Sequence, residues 1–104
     1  MIQRNVLPSR RGAETFDVSY GAQRFRVSIG RFHGGSIAEI FITGGKSGSD
    51  LEAVCRDAAV ALSIAFQFGV PLEPLRHAVT RNQDGSPSSI IGVVLERLAA
   101  LGWQ

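Results

Sequence analysis

Cysteine is nearly absent from the sequence, with Cys55 as the one example among 104 residues. A single cysteine excludes an intramolecular disulfide, a CxxC redox pair and a cysteine-rich zinc site. Long apolar runs are missing too. The longest, 58–70, contains Ser63 and Gln67 and falls short of the roughly 20 residues that a bilayer-spanning helix needs. The N-terminus carries Arg4 and no apolar signal segment, so we expect a cytoplasmic protein without membrane association.

Charge is also scarce, since charged residues make up 19% of the chain. The net charge of +2 is unevenly placed, because residues 1–33 hold six arginines against Glu14 and Asp17 and the rest of the chain is acidic. Two net charges in a chain of this length give weak support for nucleic-acid binding. With 44% hydrophobic residues, the composition is that of one folded domain. We therefore predict a basic N-terminal arm, residues 1–14, and a single domain, residues 15–104.

Period-two patterns in the first half of the chain predict strands. Apolar and polar residues alternate over 16–20 and again over 24–29, and Gly21 followed by Ala22 predicts the turn of a hairpin between them. Residues 36–43 carry apolar side chains on both faces of a third strand. We expect that strand to be the most buried of the three.

Helical spacing dominates the second half. A capping box, Ser49 with Glu52 three residues later, begins an apolar helical pattern that predicts a helix over 50–68. A shorter helix is predicted over 71–80, and Ser86 followed by proline predicts the start of a last helix. This order indicates an α+β fold, with a small antiparallel sheet of about three strands followed by about three helices.

The long predicted helix is apolar on more than one face. Besides the main stripe, Ala53, Val60 and Ile64 recur on a second face. A helix with two apolar faces is buried on both sides or contacts another subunit. We therefore expect a homo-oligomer.

A glycine-rich segment, GGKSGS at 44–49, joins the third strand to the start of the long helix, where free backbone N–H groups attract anions. Position 40 is isoleucine, so the first glycine of a phosphate loop is missing and nucleotide hydrolysis is not expected. Two interpretations remain, a flexible connection that ends in a good cap or a weak anion site. The candidate anion-binding or ligand-binding residues are Arg10, Arg11, Lys46, Ser47 and Ser49.

Glu39 lies in an otherwise apolar strand, where a carboxylate is costly to bury without a partner. We predict a structural ion pair between Glu39 and an arginine of the hairpin or the arm. His33 and His77 have neither metal-ligand spacing nor a spacing relation to Glu39, and Cys55 falls on the apolar stripe of the long helix. The sequence therefore predicts no catalytic residue, no metal site and no cofactor.

Six segments carry a family resemblance: LPSRRG at 7–12, EIFI at 39–42, KSG at 46–48, LSIAFQFGVPLE at 62–73, SSI at 88–90 and LERLA at 95–99. In this order they resemble the C-terminal region of adenosylcobalamin-dependent (class II) ribonucleotide reductases, which is the TSCPD-type domain. The stretch 67–73 is the most specific of them. The last two segments resemble the closing helix of that domain, whereas the loop 80–86 looks shorter than in the full-length enzymes.

The resemblance implies a fold and a context rather than an activity. The reductases' catalytic barrel, with its cysteines and cobalamin site, has no counterpart here, and neither has their C-terminal cysteine pair. We therefore expect a free-standing, non-enzymatic accessory module of deoxyribonucleotide metabolism that associates with a reductase-related protein or with itself. Two alternatives stay open, a nucleotide or phosphate sensor and a nucleic-acid-binding module that would use Arg24 and Arg26.

Overall fold

The structure is a computed structural model that describes residues 3–7, 13–46 and 48–103. Over these ranges the chain forms the strands β1 (Ala13–Tyr20), β2 (Gln23–Arg31) and β3 (Ile37–Gly44) and the helices α1 (Asp50–Gln67), α2 (Leu72–Ala78) and α3 (Ile90–Ala100). The described strands make one antiparallel sheet in the order β1-β2-β3. The predicted α+β fold, a small antiparallel sheet followed by helices, is confirmed. β1 begins at Ala13, so the sheet includes the last two residues of the segment predicted as the arm.

One face of the sheet carries the core. The register places Val27 opposite Ile42 and Ile29 opposite Ile40, so their side chains project to the same face. All four are at most 2% exposed and pack with apolar residues of the helices, among them Leu72, Val94, Leu95 and Leu98. Full burial of each such side chain contributes roughly 1.5–3 kcal/mol.

The helix boundaries follow from capping. The Ser49 hydroxyl accepts a hydrogen bond from the Glu52 N–H at 3.2 Å and begins α1 as predicted. Ser89 caps α3 by accepting from the Gly92 N–H at 3.1 Å. The prediction that Ser86 begins the last helix was therefore wrong. The Ser86 N–H and hydroxyl both donate to the Asp84 carboxylate, which holds this serine in the turn before the helix.

The C-terminal end of the described chain closes one end of the sheet. Trp103 is 6% exposed, and the Arg31 guanidinium lies over its ring at 3.6 Å from the centroid. Arg31 also donates to the Glu14 carboxylate at 2.6 Å. None of the helices in the described ranges combines the length and apolarity that crossing a membrane requires.

Candidate functional site

Helix α1 runs beside the free edge of β3. The Ser63 hydroxyl accepts from the Ile40 N–H at 2.9 Å and donates to the Ile40 carbonyl at 3.1 Å. Four residues further along α1, Gln67 Nε2 donates to the Ala38 carbonyl at 3.0 Å. A helix advances about 6 Å in four residues and a strand about 6.6 Å in two, so the two elements stay in register. The helix thus supplies side-chain hydrogen bonds where a neighbouring strand would supply backbone ones.

The series of hydrogen bonds stops at Ile42, the next residue along this edge. In an antiparallel ladder, alternate residues direct both backbone groups away from the partner strand. The Gly45 N–H donates to the Arg24 carbonyl, and together with the Ser63 contact at Ile40 this fixes Ile42 as another residue whose N–H and C=O face α1. The residue of α1 at the corresponding step is Ala59, whose side chain has no polar group.

A groove with a volume of about 490 Å³ opens at this point between α1 and β3. Its size falls in the range of roughly 300–1,000 Å³ that is common for ligand sites. The edge of β3 forms the floor, α1 forms one wall, and residues of the N-terminal segment 3–7 reach the rim. The apolar lining includes Phe41 and Val60, which are 54% and 58% exposed, together with Ile42, Ala59 and Ile64.

Charged side chains surround the apolar lining. Arg4 Nε donates to Gln67 Oε1, and the Asn5 N–H donates to the Gln67 carbonyl at 2.7 Å, which holds the N-terminal segment against the end of α1. Arg56 lines the groove without a hydrogen bond or ion pair to any described residue. Glu39 also lines it and is 9% exposed.

The Glu39 side chain packs over the backbone of Gly30. A Cβ added at Gly30 would lie 2.9 Å from Glu39 Cγ, so a larger residue at position 30 would displace the carboxylate. Burial of Glu39 agrees with the expectation that its charge needs compensation. The pairing with an arginine of the arm or hairpin stays a prediction, and the arm residues Arg10 and Arg11 lie outside the described residues.

The predicted anion-binding residues lie at the other end of α1. Ser47, like the arm arginines, lies outside the described ranges, and Lys46 is exposed. The hydroxyl of Ser49 is used as the helix cap, and the Gly48 N–H donates to Glu52 Oε1 at 3.1 Å. Two of the polar groups nearest to the helix start are therefore already bonded within the chain. The anion site stays a prediction.

The residues that the sequence analysis considered as candidates for catalysis or metal binding lie apart from one another. Cys55 is a core residue, and burial raises the pKa of its thiol, so its predicted role as a buried apolar residue is confirmed. His33 and His77 are both exposed. The described ranges contain no group of three or more His, Cys, Asp or Glu side chains that could hold a metal ion.

A cluster of ion pairs that the sequence analysis did not predict joins α2 to α3. Glu96 accepts from Arg81 at 2.5 Å and from Arg76 at 3.0 Å, and Arg76 also forms a two-bond pair with Glu73. The hydrogen bond from Arg81 is the main cause that holds the pKa of Glu96 below its usual range. The hydrogen bond from Arg76 and the positive charges of both arginines lower it further. The signals of this cluster in the sequence were the i,i+3 spacing of Glu73 and Arg76 and the i,i+4 spacing of Glu73 and His77.

These features define a small α+β domain in which a helix covers an edge strand and leaves a groove beside it. The family model of the TSCPD domain matches residues 3–100. The chain belongs to the TSCPD domain family, and the resemblance found in the sequence is confirmed. No solved structure matches the chain.

Similar curated proteins are vitamin B12-dependent ribonucleotide reductases. The reductase of Agrobacterium fabrum is 37% identical over 78 residues, which cover 75% of this chain and 6% of the reductase. The reductase of Bradyrhizobium diazoefficiens is 32% identical over 80 residues, or 77% of this chain and 6% of the reductase. The reductase of Rhodopirellula baltica is 37% identical over 71 residues, which cover 68% of this chain and 7% of the reductase. The chain therefore corresponds to a small part of these enzymes.

Proposed function

We propose that this chain is a non-catalytic module, related to the TSCPD region of ribonucleotide reductases, that acts by associating with a protein. The observation that carries the proposal is the groove between β3 and α1, where Phe41 and Val60 are more than half exposed beside an apolar floor. Exposed apolar surface framed by polar residues is typical of protein interaction sites.

The placement of the reactive side chains supports a non-catalytic role. A nucleophile or a general base needs a partner within hydrogen-bond reach. Cys55 is buried in the core with a raised pKa, which disfavours the thiolate. His77 is exposed and lies 3.1 Å from the Glu73 carboxylate, which is already bonded to Arg76, and neither Glu73 nor His77 lines the groove.

The two alternative functions draw less support from the contacts. A phosphate sensor at the start of α1 would compete with the bonds that Ser49 and Gly48 already make. A nucleic-acid-binding module would use stacking aromatic side chains beside its arginines. Phe25, the aromatic residue next to Arg24 and Arg26, is 1% exposed, and Arg26 is paired with Asp17 at 3.1 Å.

The proposal is tested with a purified vitamin B12-dependent ribonucleotide reductase as the binding partner. We expect calorimetry or interferometry to detect association of the chain with the reductase, or sedimentation to detect association of the chain with itself. The chain by itself, given adenosylcobalamin, a dithiol and ribonucleotides, should produce no deoxyribonucleotide. A chain that stays monomeric and does not bind the reductase would contradict the proposal, as would turnover by the isolated chain.

A further inference from the structure

The groove between β3 and α1 offers an occupant side chains rather than backbone groups. The N–H and C=O groups of α1 bond within the helix, and α1 covers the edge of β3, where Ile42 is 2% exposed and Ala59 is 3% exposed. An extended segment in the groove would lose water from its own N–H and C=O groups without finding partners for them there. A helix avoids this cost, because its backbone groups bond within the segment.

The length of the groove fits one face of such a helix. The groove follows α1 from Arg56 to Gln67, which is about 16 Å at 1.5 Å per residue. Amphipathic helices bind hydrophobic grooves through apolar residues at i, i+3 or i+4, and i+7, which span about 10 Å. Phe41, Val60 and Ile64 are 54%, 58% and 39% exposed, and they form the apolar surface that these residues would contact.

Charge differs between the two ends of the groove. Arg56 lines one end and has no partner among the described residues, whereas Arg4 and Glu39 bring both signs of charge to the other end. Arg56 and Val60 are four residues apart, so their side chains lie on the same face of α1. Asp57 lies about 100° further around the helix and does not line the groove. A carboxylate on the occupant would therefore meet an unpaired guanidinium at the Arg56 end.

From these features we infer that the groove between β3 and α1 binds an amphipathic helix of a partner protein. The apolar stripe of that helix contacts Phe41, Val60 and Ile64, and an acidic residue at one end of the stripe pairs with Arg56. The partner is recognised through side chains, so the sheet gains no strand. This inference rests on the proposed function and names the structural element and the chemistry of the partner.

The probe is a phage-displayed library of a small helical scaffold, randomised at positions i, i+3, i+4, i+7 and i+8 of one exposed helix face and selected on the full chain. We expect enrichment of an apolar stripe with an Asp or Glu at one end. Val60→Lys should weaken binding of a selected helix at least tenfold. The control is Leu101→Lys, because Leu101 is 55% exposed but does not line the groove, and it should leave binding nearly unchanged.

A double-mutant cycle tests the contact at Arg56. Arg56→Gln should weaken binding of a selected helix, and replacing the acidic residue of that helix by its amide should weaken binding by a similar factor. The two changes together should weaken binding no more than either change alone, because both remove the same contact. The control is Arg24→Gln, at an exposed arginine that does not line the groove. Losses that simply add would contradict the pairing with Arg56.

The helical form of the occupant is tested with synthetic peptides of a selected sequence. Proline at a central position that faces away from the groove disrupts the helix but keeps every contact residue, so it should weaken binding at least tenfold. Alanine at the same position is the control and should not weaken binding. Equal binding of the proline and alanine peptides, or equal effects of Val60→Lys and Leu101→Lys, would overturn the inference.

The outcomes separate this inference from the proposed function. If the library yields no helix whose binding depends on Val60, but the chain associates with the reductase or with itself, the inference fails and the proposed function stands. If neither a helix nor a protein binds, both fail. A selected helix that displaces the reductase from the chain supports both. Amide spectra of the variants establish that each one is folded before its binding is scored.

Discussion

The Ser63 hydroxyl forms hydrogen bonds with both the N–H and the C=O of Ile40 in the edge strand β3. Replacing Ser63 by alanine leaves the Ile40 N–H and C=O without a partner in a place that water reaches poorly, since Ile40 is 1% exposed. We expect Ser63→Ala to lower the free energy of unfolding by about 1–3 kcal/mol in urea titrations. Ser19→Ala, at an exposed serine of β1, is the control and should change it by less than about 0.5 kcal/mol. Equal effects of the two substitutions would mean that Ser63 contributes little to the edge.

Glu39 is a carboxylate that is only 9% exposed and packs over the backbone of Gly30. If its predicted partner is an arginine of the arm or hairpin, Glu39→Ala leaves a buried cation uncompensated and should cost about 3 kcal/mol of unfolding free energy. Glu39→Gln keeps the shape of the side chain but removes its charge, and it should lower the free energy of unfolding by a similar amount. The control is Glu14→Gln, which breaks an exposed pair with Arg31 and should cost less than about 1 kcal/mol. A change below about 0.5 kcal/mol in both Glu39 variants would contradict the ion pair.

At the scale of elements, the ion-pair cluster at Glu96 makes the attachment of α2 to α3 depend on pH. The pKa of Glu96 is lowered in the folded chain, chiefly by Arg81, so its contribution to stability is present above the ordinary pKa of glutamate and is lost as pH falls through the lowered value. Glu96→Gln should therefore lower the melting temperature at neutral pH, and the difference from the parent chain should shrink below about pH 4.

The control for the pH experiment is Asp57→Asn, at an exposed carboxylate of α1 that has no partner among the described residues. The melting temperature of Asp57→Asn should differ little from that of the parent chain at every pH. A Glu96→Gln effect that stays constant from neutral to acidic pH would show that the lost contribution is packing rather than charge.

The elements that the sequence predicted well are those whose signals are local. The two-residue turn after β1 and the Ser49 cap of α1 depend on neighbours within four residues, and both appear in the structure. The other half of the capping box differs, because Glu52 accepts from the Gly48 N–H instead of the Ser49 N–H. The start of α3 was predicted at Ser86 instead of Ser89 because three serines near that helix start can all act as caps. The choice depends on contacts across the loop, where Arg81 bonds to the Gly85 carbonyl and bridges to Pro87.

The groove escaped prediction because it is made by residues far apart in the chain. Ser63 and Ile40 are 23 residues apart, and no spacing rule connects a strand edge to a helix that covers it. A signal was present all the same, since Ser63 and Gln67 are polar, lie four residues apart, and interrupt the most apolar stretch of the sequence. Two polar residues on one face of an apolar helix indicate that they form hydrogen bonds to buried polar groups. Here those groups are the backbone N–H and C=O groups at the edge of β3.

At the scale of the whole molecule, α1 has two exposed apolar surfaces in the part of the chain that the structure describes. Val60 and Ile64, assigned by the sequence to the back of the helix, line the groove instead. The outward side carries Val54, Ala61 and Phe68, which recur every seven residues and are exposed. Such a stripe stays on one face of a helix over four turns and suits packing against a second helix.

The prediction for the whole molecule is that the chain self-associates through this outward stripe. Two copies of α1 can pair about a two-fold axis, which covers Val54 and Phe68 on both copies, and closed dimers are the commonest solution for such a surface. Sedimentation equilibrium at micromolar concentration should detect a species of twice the chain mass of 11.2 kDa. Val54→Lys should convert it to the monomer, whereas Val60→Lys, at a residue of similar exposure that lines the groove, should not. A monomer at every concentration would contradict self-association. A dimer that Val60→Lys disrupts and Val54→Lys does not would place the interface in the groove.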